Sequence, residues 1–582
     1  MHRLLDKISE RNKLLLLSLV VGITSGLAAV LLRWLIELVK NGLRAVSGTG
    51  DFNWTYLILP GAGMLISLLL VKYVVRDNIG HGVTRALLAV SRNESRIKLH
   101  NTWSSVLTSS VTIGFGGSVG AEAPIVYTGA AIGSNLGRLA GLSHRSVTTL
   151  LGCGAAGAIA GIFKAPLAGV LFTMEILMFN VSLKTMLPLL ISTISATVVA
   201  YAFQGQAPQF ACTLTEFSMG NLPFYVVLGL VAGVGALYFT RMTLWLEDRF
   251  SSFRNQWLRW LVCALGLGLL IFLFPPLYGE GYDFLGALLA GTPPGVENRT
   301  VLSFMFGSPW GAPAFFALVF LFKVLAMTLT NAGGGVGGTF GPTLFAGAIM
   351  GFVIVRSFNL LGLDLPEQNF VLVGMAALMA SVMQAPMTAI FLIAEISGGY
   401  GLLIPLILTA TISFGTVRMF EKYSIYTKRI AQSGDLLTHD NDQAVMTLLK
   451  TSDLVRDKYP RVRMKDSLRS LVDVISGSDA AVIAVLGKDD SFQGMIDVAN
   501  VRKYLFRTDL YDSTRVYNLM ESAPDIVSAD EKIEDVMGKF DRTEAWRLPV
   551  VDSGGRYLGF ISKSRLLMAY RSELREISTG DD

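Results

Sequence analysis

The sequence has little cysteine and little charge for its length of 582 residues. Its three cysteines, Cys153, Cys212 and Cys263, lie far apart and match neither a disulfide framework nor a metal-binding spacing. The formal net charge of +5 is small, and basic cytoplasmic loops explain it better than nucleic-acid binding does. A phosphate-binding loop and a nucleophile–base constellation are also missing. These absences argue against an enzyme and against a nucleic-acid partner.

Apolar runs follow one another through the first three-quarters of the chain. The clearest are Leu14–Leu32, Leu57–Val71, Phe224–Leu237, Trp260–Leu273 and Ala314–Phe322. A helix of about 20 such residues crosses the ~30 Å of hydrocarbon in a bilayer. From about residue 431 the sequence becomes charged and alternating, as in soluble α/β domains. We therefore predict an integral, multi-pass membrane domain over residues 1–430, with a soluble region after it.

The first residues, MHRLLDKISERNK, do not form a signal peptide. Charges of both signs precede a hydrophobic run that is too long for one, and no small-residue cleavage site closes it. Basic residues just before the first span favour a cytoplasmic N-terminus. We expect a protein of the bacterial inner (plasma) membrane with both termini in the cytoplasm.

Two phrases of the membrane region occur twice. GSVGAEAPIVYTGAA (Gly117–Ala131) resembles GGVGGTFGPTLFAGA (Gly334–Ala348). FKAPLAGVLFTMEI (Phe163–Ile176) resembles MQAPMTAIFLIAEI (Met383–Ile396), at nearly the same separation along the chain. Duplication of one half of the membrane domain explains this shared separation better than chance matches between glycine-rich sequences.

The two predicted half-repeats cover about residues 15–205 and 222–430. Glycine and proline interrupt their apolar segments at matching places, which indicates discontinuous helices that meet at an ion site near the bilayer midplane. Four glycines recur at a spacing that favours close helix packing instead: Gly129, Gly133, Gly347 and Gly351.

Each glycine phrase leads into a proline, Pro124 in the first half and Pro342 in the second. Proline is favoured in the first helical turn, so a helix is predicted to begin near each of them. The N–H groups at a helix start have no intrahelical partner and carry the positive end of the dipole. Two converging starts therefore predict an anion site. IGHGVT (Ile79–Thr84) is a third, weaker glycine-rich start.

Glu122 stands in the first phrase where the second has Phe340. A carboxylate inside the membrane is costly and is a functional candidate. When ionised it could occupy the anion site, and when protonated it could swing away, as a gate or a proton carrier. The alternative is a carboxylate that only caps a helix. Glu175 and Glu395 occupy equivalent places in both halves, which favours a structural role or a position at the cytoplasmic rim.

The soluble tail carries its own duplication. AVIAVLGKDDSFQGMIDVANVRKYLF (Ala481–Phe506) parallels RLPVVDSGGRYLGFISKSRLLMAY (Arg547–Tyr570). Each copy is predicted to run strand, turn, glycine-led strand and helix. The boundaries that follow are a linker at 431–445 and two domains at 446–508 and 514–575.

Together these motifs resemble the CLC family of voltage-gated chloride channels and chloride/proton antiporters. GHGVT (Gly80–Thr84) takes the place of the family's usual GSGIP, GAEAP (Gly120–Pro124) that of G(K/R)EGP, and GTFGP (Gly338–Pro342) that of GxFxP. The resemblance implies a membrane all-α, inverted-repeat bundle of broken helices. It also implies a homodimer in the lipid bilayer with one pathway for chloride and similar small anions per subunit.

The resemblance also implies roles for single residues. Glu122 corresponds to the external gate. The residues implied around the anion are His81, Gly82, Ala121, Thr339, Phe340 and Tyr426. The backbone amides of Thr339 and Phe340 and the hydroxyl of Tyr426 would contact it. An interfacial aromatic near the last span is the alternative for Tyr426.

Three positions depart from the family pattern. His81 replaces a serine and can donate a hydrogen bond or add charge when protonated, or the backbone alone does the work. Ala121 replaces a basic neighbour of the gate. Ile176 stands where antiporters carry a second acid on the inner proton route. Because isoleucine carries no proton, the sequence favours a chloride channel, with a chloride/proton antiporter using Glu122 and a non-standard inner route as the alternative.

The duplicated tail resembles tandem CBS domains, and the resemblance implies an α/β cytoplasmic part. The family's nucleotide contacts, Ser/Thr followed three residues later by Asp, read Asp497 with Asn500 and Ser562 with Arg565 here. Neither copy keeps the full pattern, so a dimerising or regulatory scaffold is predicted, with nucleotide binding as the alternative; no metal or other cofactor is expected. A CBS-regulated divalent-cation transporter is a distant alternative, since it needs clustered carboxylates.

Overall fold

The computed structural model describes residues 9–47, 54–77, 79–92, 95–177, 183–210, 214–290, 300–433, 449–456 and 459–578. The chain divides into two compact units, Met1–Leu436 and Leu437–Asp582. The predicted linker, 431–445, lies outside the described residues from position 434 onward.

The first unit is helical, as the sequence predicts. Its first half contains α1 (Glu10–Ser47), α2 (Thr55–Leu69), α3 (Gly82–Arg92), α4 (Ser104–Gly114), α5 (Glu122–Leu139), α6 (His144–Phe163), α7 (Pro166–Glu175) and α8 (Leu183–Gln204). Its second half contains α9 (Leu222–Ser251), α10 (Gln256–Leu273), α11 (Tyr282–Leu289), α12 (Gly311–Ala332), α13 (Phe340–Leu360), α14 (Glu367–Val382), α15 (Pro386–Ile396), α16 (Leu403–Arg418) and α17 (Lys428–Ser433).

Helices of very different length make up this unit. Among the described residues, eight helices are long and apolar enough to cross a membrane, whereas α7, α14, α15 and α16 are apolar but shorter. Both repeated prolines lie in the first turn of their helices, since α5 begins at Glu122 and α13 at Phe340. α3 likewise begins inside the third phrase, at Gly82. The predicted broken helices are therefore present.

The four repeated glycines lie at close helix crossings. A Cβ atom on Gly129 would stand 2.1 Å from the carbonyl oxygen of Gly154 on α6. In the second half, a Cβ on Gly347 would stand 2.5 Å from that of Gly374 on α14. Real Cβ atoms do not approach other atoms so closely, so the backbones pack in contact only because both positions are glycine. The packing role predicted for these glycines is confirmed.

Glu175 and Glu395 each cap the start of a helix in the other half of the membrane unit. The Glu175 carboxylate accepts the N–H groups of Met387 and Thr388, at 3.0 and 2.7 Å, at the start of α15. The Glu395 carboxylate accepts those of Leu167 and Ala168, at 3.1 and 3.0 Å, at the start of α7. α7 and α15 both begin at a proline after an extended alanine, so these N–H groups need an outside acceptor. The shared role is structural.

The second unit is α/β and contains two copies of one small fold. The unit begins with α18 (Thr451–Leu454), whose Leu454 packs in the core of the second copy. The elements of the first copy are β1 (Arg461–Arg463), α19 (Leu468–Ser476), β2 (Val482–Leu486), β3 (Phe492–Asp497) and α20 (Val498–Val501). Those of the second are β4 (Val527–Ser528), α21 (Ile533–Thr543), β5 (Arg547–Val551), β6 (Tyr557–Ser562) and α22 (Lys563–Ser578).

The sheets of the two copies share one topology. β1 pairs with β2 in parallel and β2 with β3 antiparallel, and β4, β5 and β6 repeat this order. Each antiparallel pair shifts register near the end of its central strand, between Val485 and Leu486 and between Val550 and Val551. Apolar residues of the central strands, such as Ile483 and Leu548, are fully buried. The internal duplication predicted for the tail is present.

Candidate functional site

The two glycine phrases meet in the interior of the membrane unit. Gly120 and Gly338 form an antiparallel bridge, in which each N–H donates to the other's carbonyl, at 3.0 and 2.7 Å. These residues immediately precede α5 and α13, so the bridge holds the two helix starts side by side. A Cβ on Gly338 would stand 2.7 Å from that of Ala123. Only glycine therefore permits this approach.

Glu122 reaches from its own half into the other. Its side chain is buried, and its Oε2 accepts the N–H of Gly341 at 3.2 Å, in the first turn of α13. Tyr282 donates its hydroxyl to the other carboxylate oxygen. The carboxylate thus occupies the place where the start of α13 would bind an anion. The same bond also fits the alternative for Glu122, a carboxylate that caps a helix, which here is the helix of the other half.

A cavity of about 60 Å³ lies beside the bridge. Its lining residues are His81, Thr84, Ala123, Leu244, Glu247, Gly337, Gly338, Thr339, Ile425 and Tyr426. The hydroxyl of Thr339 donates to that of Tyr426 at 3.1 Å. Three of the residues predicted around the anion, His81, Thr339 and Tyr426, therefore line one cavity. Tyr426 is buried, which removes the alternative of an interfacial aromatic.

The chain around Tyr426 is fixed by ion pairs. Glu421 contacts Arg241 at 2.7 Å and Lys428 at 2.6 Å. Burial raises the pKa of the Glu421 carboxyl, but the hydrogen bonds from Lys428 and Arg241 outweigh it, and the pKa lies below its ordinary value. A charged Glu421 thus pins both sides of the turn that presents Tyr426.

Gly82, Ala121 and Phe340 do not line the cavity. A Cβ on Gly82 would stand 2.3 Å from the carbonyl oxygen of Ala123, so this glycine permits a close backbone approach. The N–H of Ala121 donates to Glu280 at 3.1 Å. The Phe340 ring packs against those of Phe163 and Phe172, with centroids 5.6 and 6.2 Å away. Their predicted place around the anion remains a prediction.

The Voltage gated chloride channel family profile matches residues 62–418 of this chain. The chain belongs to the CLC family. The CBS domain profile matches residues 516–572, inside the second unit. A CLC membrane domain and a CBS domain therefore share the chain, and family membership implies transport of small anions across a membrane.

Curated relatives match most of the membrane unit. One is the putative chloride channel protein ClcB-like of Ralstonia nicotianae, 28% identical over 416 residues, or 69% of this chain and 92% of that protein. Another is the H⁺/Cl⁻ exchange transporter ClcA of Salmonella arizonae, 28% identical over 436 residues, or 70% of this chain and 86% of that protein.

Solved CLC structures share the fold. A slow cyanobacterial Cl⁻/H⁺ antiporter aligns with a TM-score of 0.62 at 21% identity, over 72% of this chain and 97% of that one. A eukaryotic CLC transporter aligns with a TM-score of 0.59 at 17% identity, over 95% of this chain and 97% of that one. At these identities the likeness establishes the CLC architecture and no finer property.

Two departures from the CLC pattern have structural consequences. His81 has a left-handed backbone with φ 54, and its Nε2 lies 3.8 Å from a carboxylate oxygen of Glu247 on α9. The cavity therefore contains an imidazole next to an acid. Ile176 is buried in the main core, as is its repeat partner Ile396. The position of the antiporters' second acid is thus an apolar packing position in both halves.

The CBS positions bind their own chain. Asp497 accepts the N–H of Ala499 at 2.9 Å and caps α20, while Asn500 donates to Glu521 at 2.9 Å. In the second copy, Ser562 accepts the N–H of Arg565 at 3.3 Å. Among the described residues, no three His, Cys, Asp or Glu side chains form a group that could hold a metal ion.

Sequence reasoning missed Tyr282, Glu280 and Glu247. The signal that could have found Glu280 is its place in YGEGYD (Tyr278–Asp283), where an acid stands between two buried glycines. Sequence reasoning also missed Lys323. This residue directly follows the apolar run Ala314–Phe322 and is fully buried.

Proposed function

We propose that this chain exchanges chloride for protons, with Glu122 as the group that both competes with the anion and carries the proton. One observation supports this most directly: the Glu122 carboxylate accepts the Gly341 N–H at the start of α13. N–H donors favour the ionised carboxylate, and protonation weakens its hold. A protonated Glu122 would then leave the site to an anion.

Exchange is favoured over passive conduction by the relatives. The proteins of Salmonella arizonae and Citrobacter koseri are named H⁺/Cl⁻ exchange transporters. Ile176 favours a channel, because it cannot relay a proton. A different titratable group could replace the missing acid if it faced the anion cavity. Two such groups, His81 and Glu247, line this cavity.

Glu247 and His81 are the proposed inner proton acceptors. Both line the same cavity as Thr339 and Tyr426, and the Glu247 side chain is only 12% exposed. A proton entering this cavity would bypass Ile176 altogether. The non-standard inner route would therefore share the inner part of the anion path.

Flux measurements in liposomes test this function. A chloride gradient imposed at equal internal and external pH should drive protons uphill, and Glu122→Gln should stop the protons while chloride still moves. Glu247→Gln should slow proton movement more than chloride movement, whereas the neighbouring Asp248→Asn should leave the ratio unchanged. Chloride movement without any proton movement in the wild type would favour the channel.

Other properties implied by the CLC resemblance are proposals as well. We place the chain in a bacterial inner membrane as a homodimer, with cytoplasmic termini and a regulatory CBS unit. The internal bonds of Asp497, Asn500 and Ser562 favour a scaffold over a nucleotide sensor. Light scattering of the purified protein tests the dimer, and calorimetric titration with ATP tests nucleotide binding.

A further inference from the structure

The segment YGEGY (Tyr278–Tyr282) belongs to neither of the duplicated motifs, yet it contacts the gate residue, Glu122. Gly279 donates its N–H to the carbonyl of Gly116 at 3.0 Å, just before the glutamate phrase. Gly281 has φ 85, and a Cβ there would stand 2.5 Å from the ring of Phe345 on α13. The segment is therefore pinned between the glutamate phrase of one half and the helix of the other.

This segment contacts the gate residue on two sides. Tyr282 donates its hydroxyl to the carboxylate of Glu122. Glu280 accepts the N–H of Ala121, the residue that precedes Glu122, at 3.1 Å. A neutral donor and a second carboxylate thus bracket the gate.

Lys323 of α12 places a buried amine beside this segment. Its Nζ donates to the hydroxyl of Ser118 at 2.8 Å and to the carbonyl of Gly279 at 3.2 Å, and it lies 4.9 Å from the centroid of the Phe345 ring. Arg33 and Lys40 of α1 also act electrostatically on Glu280. Glu280 is thus a buried carboxylate near several basic groups, whose positive charge it offsets.

We propose that Tyr282 and Glu280 are positioning residues for transport that set, in opposite directions, the pH at which Glu122 takes up its proton. The hydroxyl of Tyr282 favours the ionised Glu122 that it bonds. The negative charge of Glu280 disfavours it, because like charges repel in a medium of low dielectric constant. This inference rests on the proposed function of Glu122 as a protonated gate.

Chloride efflux from liposomes over a series of pH values tests the assignment. We expect Tyr282→Phe to move the midpoint of the pH profile upward, and Glu280→Gln to move it downward, each by about one pH unit. Gln retains an oxygen for the Ala121 N–H, so the fold should survive. Tyr278→Phe is the matched control from the same segment, and it should not move the midpoint.

The sign of the two shifts distinguishes positioning from mere support of the fold. Shifts in the same direction, or no shift in either variant, would overturn the proposal. In a Glu122→Gln background neither substitution should alter the pH profile, and a persisting shift there would also overturn it. If the wild type moves chloride without protons, the proposed exchange fails, while opposite shifts would still establish the roles of Tyr282 and Glu280.

Discussion

The two halves of the membrane unit share their helix caps and their central glycine contact, and they differ in the residue that begins the central helix. Glu175 and Glu395 each accept two N–H groups at the start of a helix in the other half, and Glu175 also accepts the hydroxyl of Thr388. Gly120 and Gly338 bond each other across the centre. Where the first half has Glu122, however, the second has Phe340 packed among aromatic rings. At this position the symmetric frame has a carboxylate in one half and an aromatic ring in the other. Under the proposed function, this difference is what lets one half compete with the anion while the other only supports the frame.

Removing the reciprocal caps should cause the largest loss of stability. Glu175→Ala and Glu395→Ala each leave two N–H groups without their acceptor, which should lower the free energy of unfolding by about 2 kcal/mol or more. Thermal unfolding in detergent checks whether the two losses are equal. If Glu175→Ala left stability unchanged and altered proton movement instead, the structural role of Glu175 would be wrong.

The glycine crossings should respond almost as strongly and in parallel. Gly129→Ala and Gly347→Ala place a methyl group against a backbone carbonyl, and overpacking of this kind costs about 1–3 kcal/mol. Gly415→Ala is the control, because no atom lies within 4 Å of its added Cβ. That variant should be neutral or stabilised by up to about 1 kcal/mol. Unequal losses at the two crossings would contradict the matched packing.

Tyr426 should give the smallest effect. Tyr426→Phe removes the hydroxyl that accepts from Thr339, a net loss of about 1 kcal/mol, or roughly fivefold in chloride affinity if that hydroxyl contacts the anion. Isothermal titration with chloride measures it, with Tyr423→Phe as the control. An unchanged affinity would place the anion away from this side of the cavity.

The sequence predicted what repetition and local chemistry determine. Both helix starts, the packing glycines and the shared structural role of Glu175 and Glu395 follow from motifs that occur twice. The partners of Glu122 and Ala121 did not, because Tyr282 and Glu280 lie about 160 residues away in an unrepeated segment. No periodicity in the text reports such a contact. Lys323 could have been singled out from the sequence, since a lone basic residue at the end of an apolar run is unusual.

Reversal potential under separate chloride and pH gradients tests the central claim, that Glu122 is the group that couples anion movement to proton movement. For the wild type we predict a potential that shifts when only the pH gradient changes, and for Glu122→Gln a potential set by chloride alone. A wild-type potential that ignores pH, or a Glu122→Gln variant that still follows it, would contradict the account.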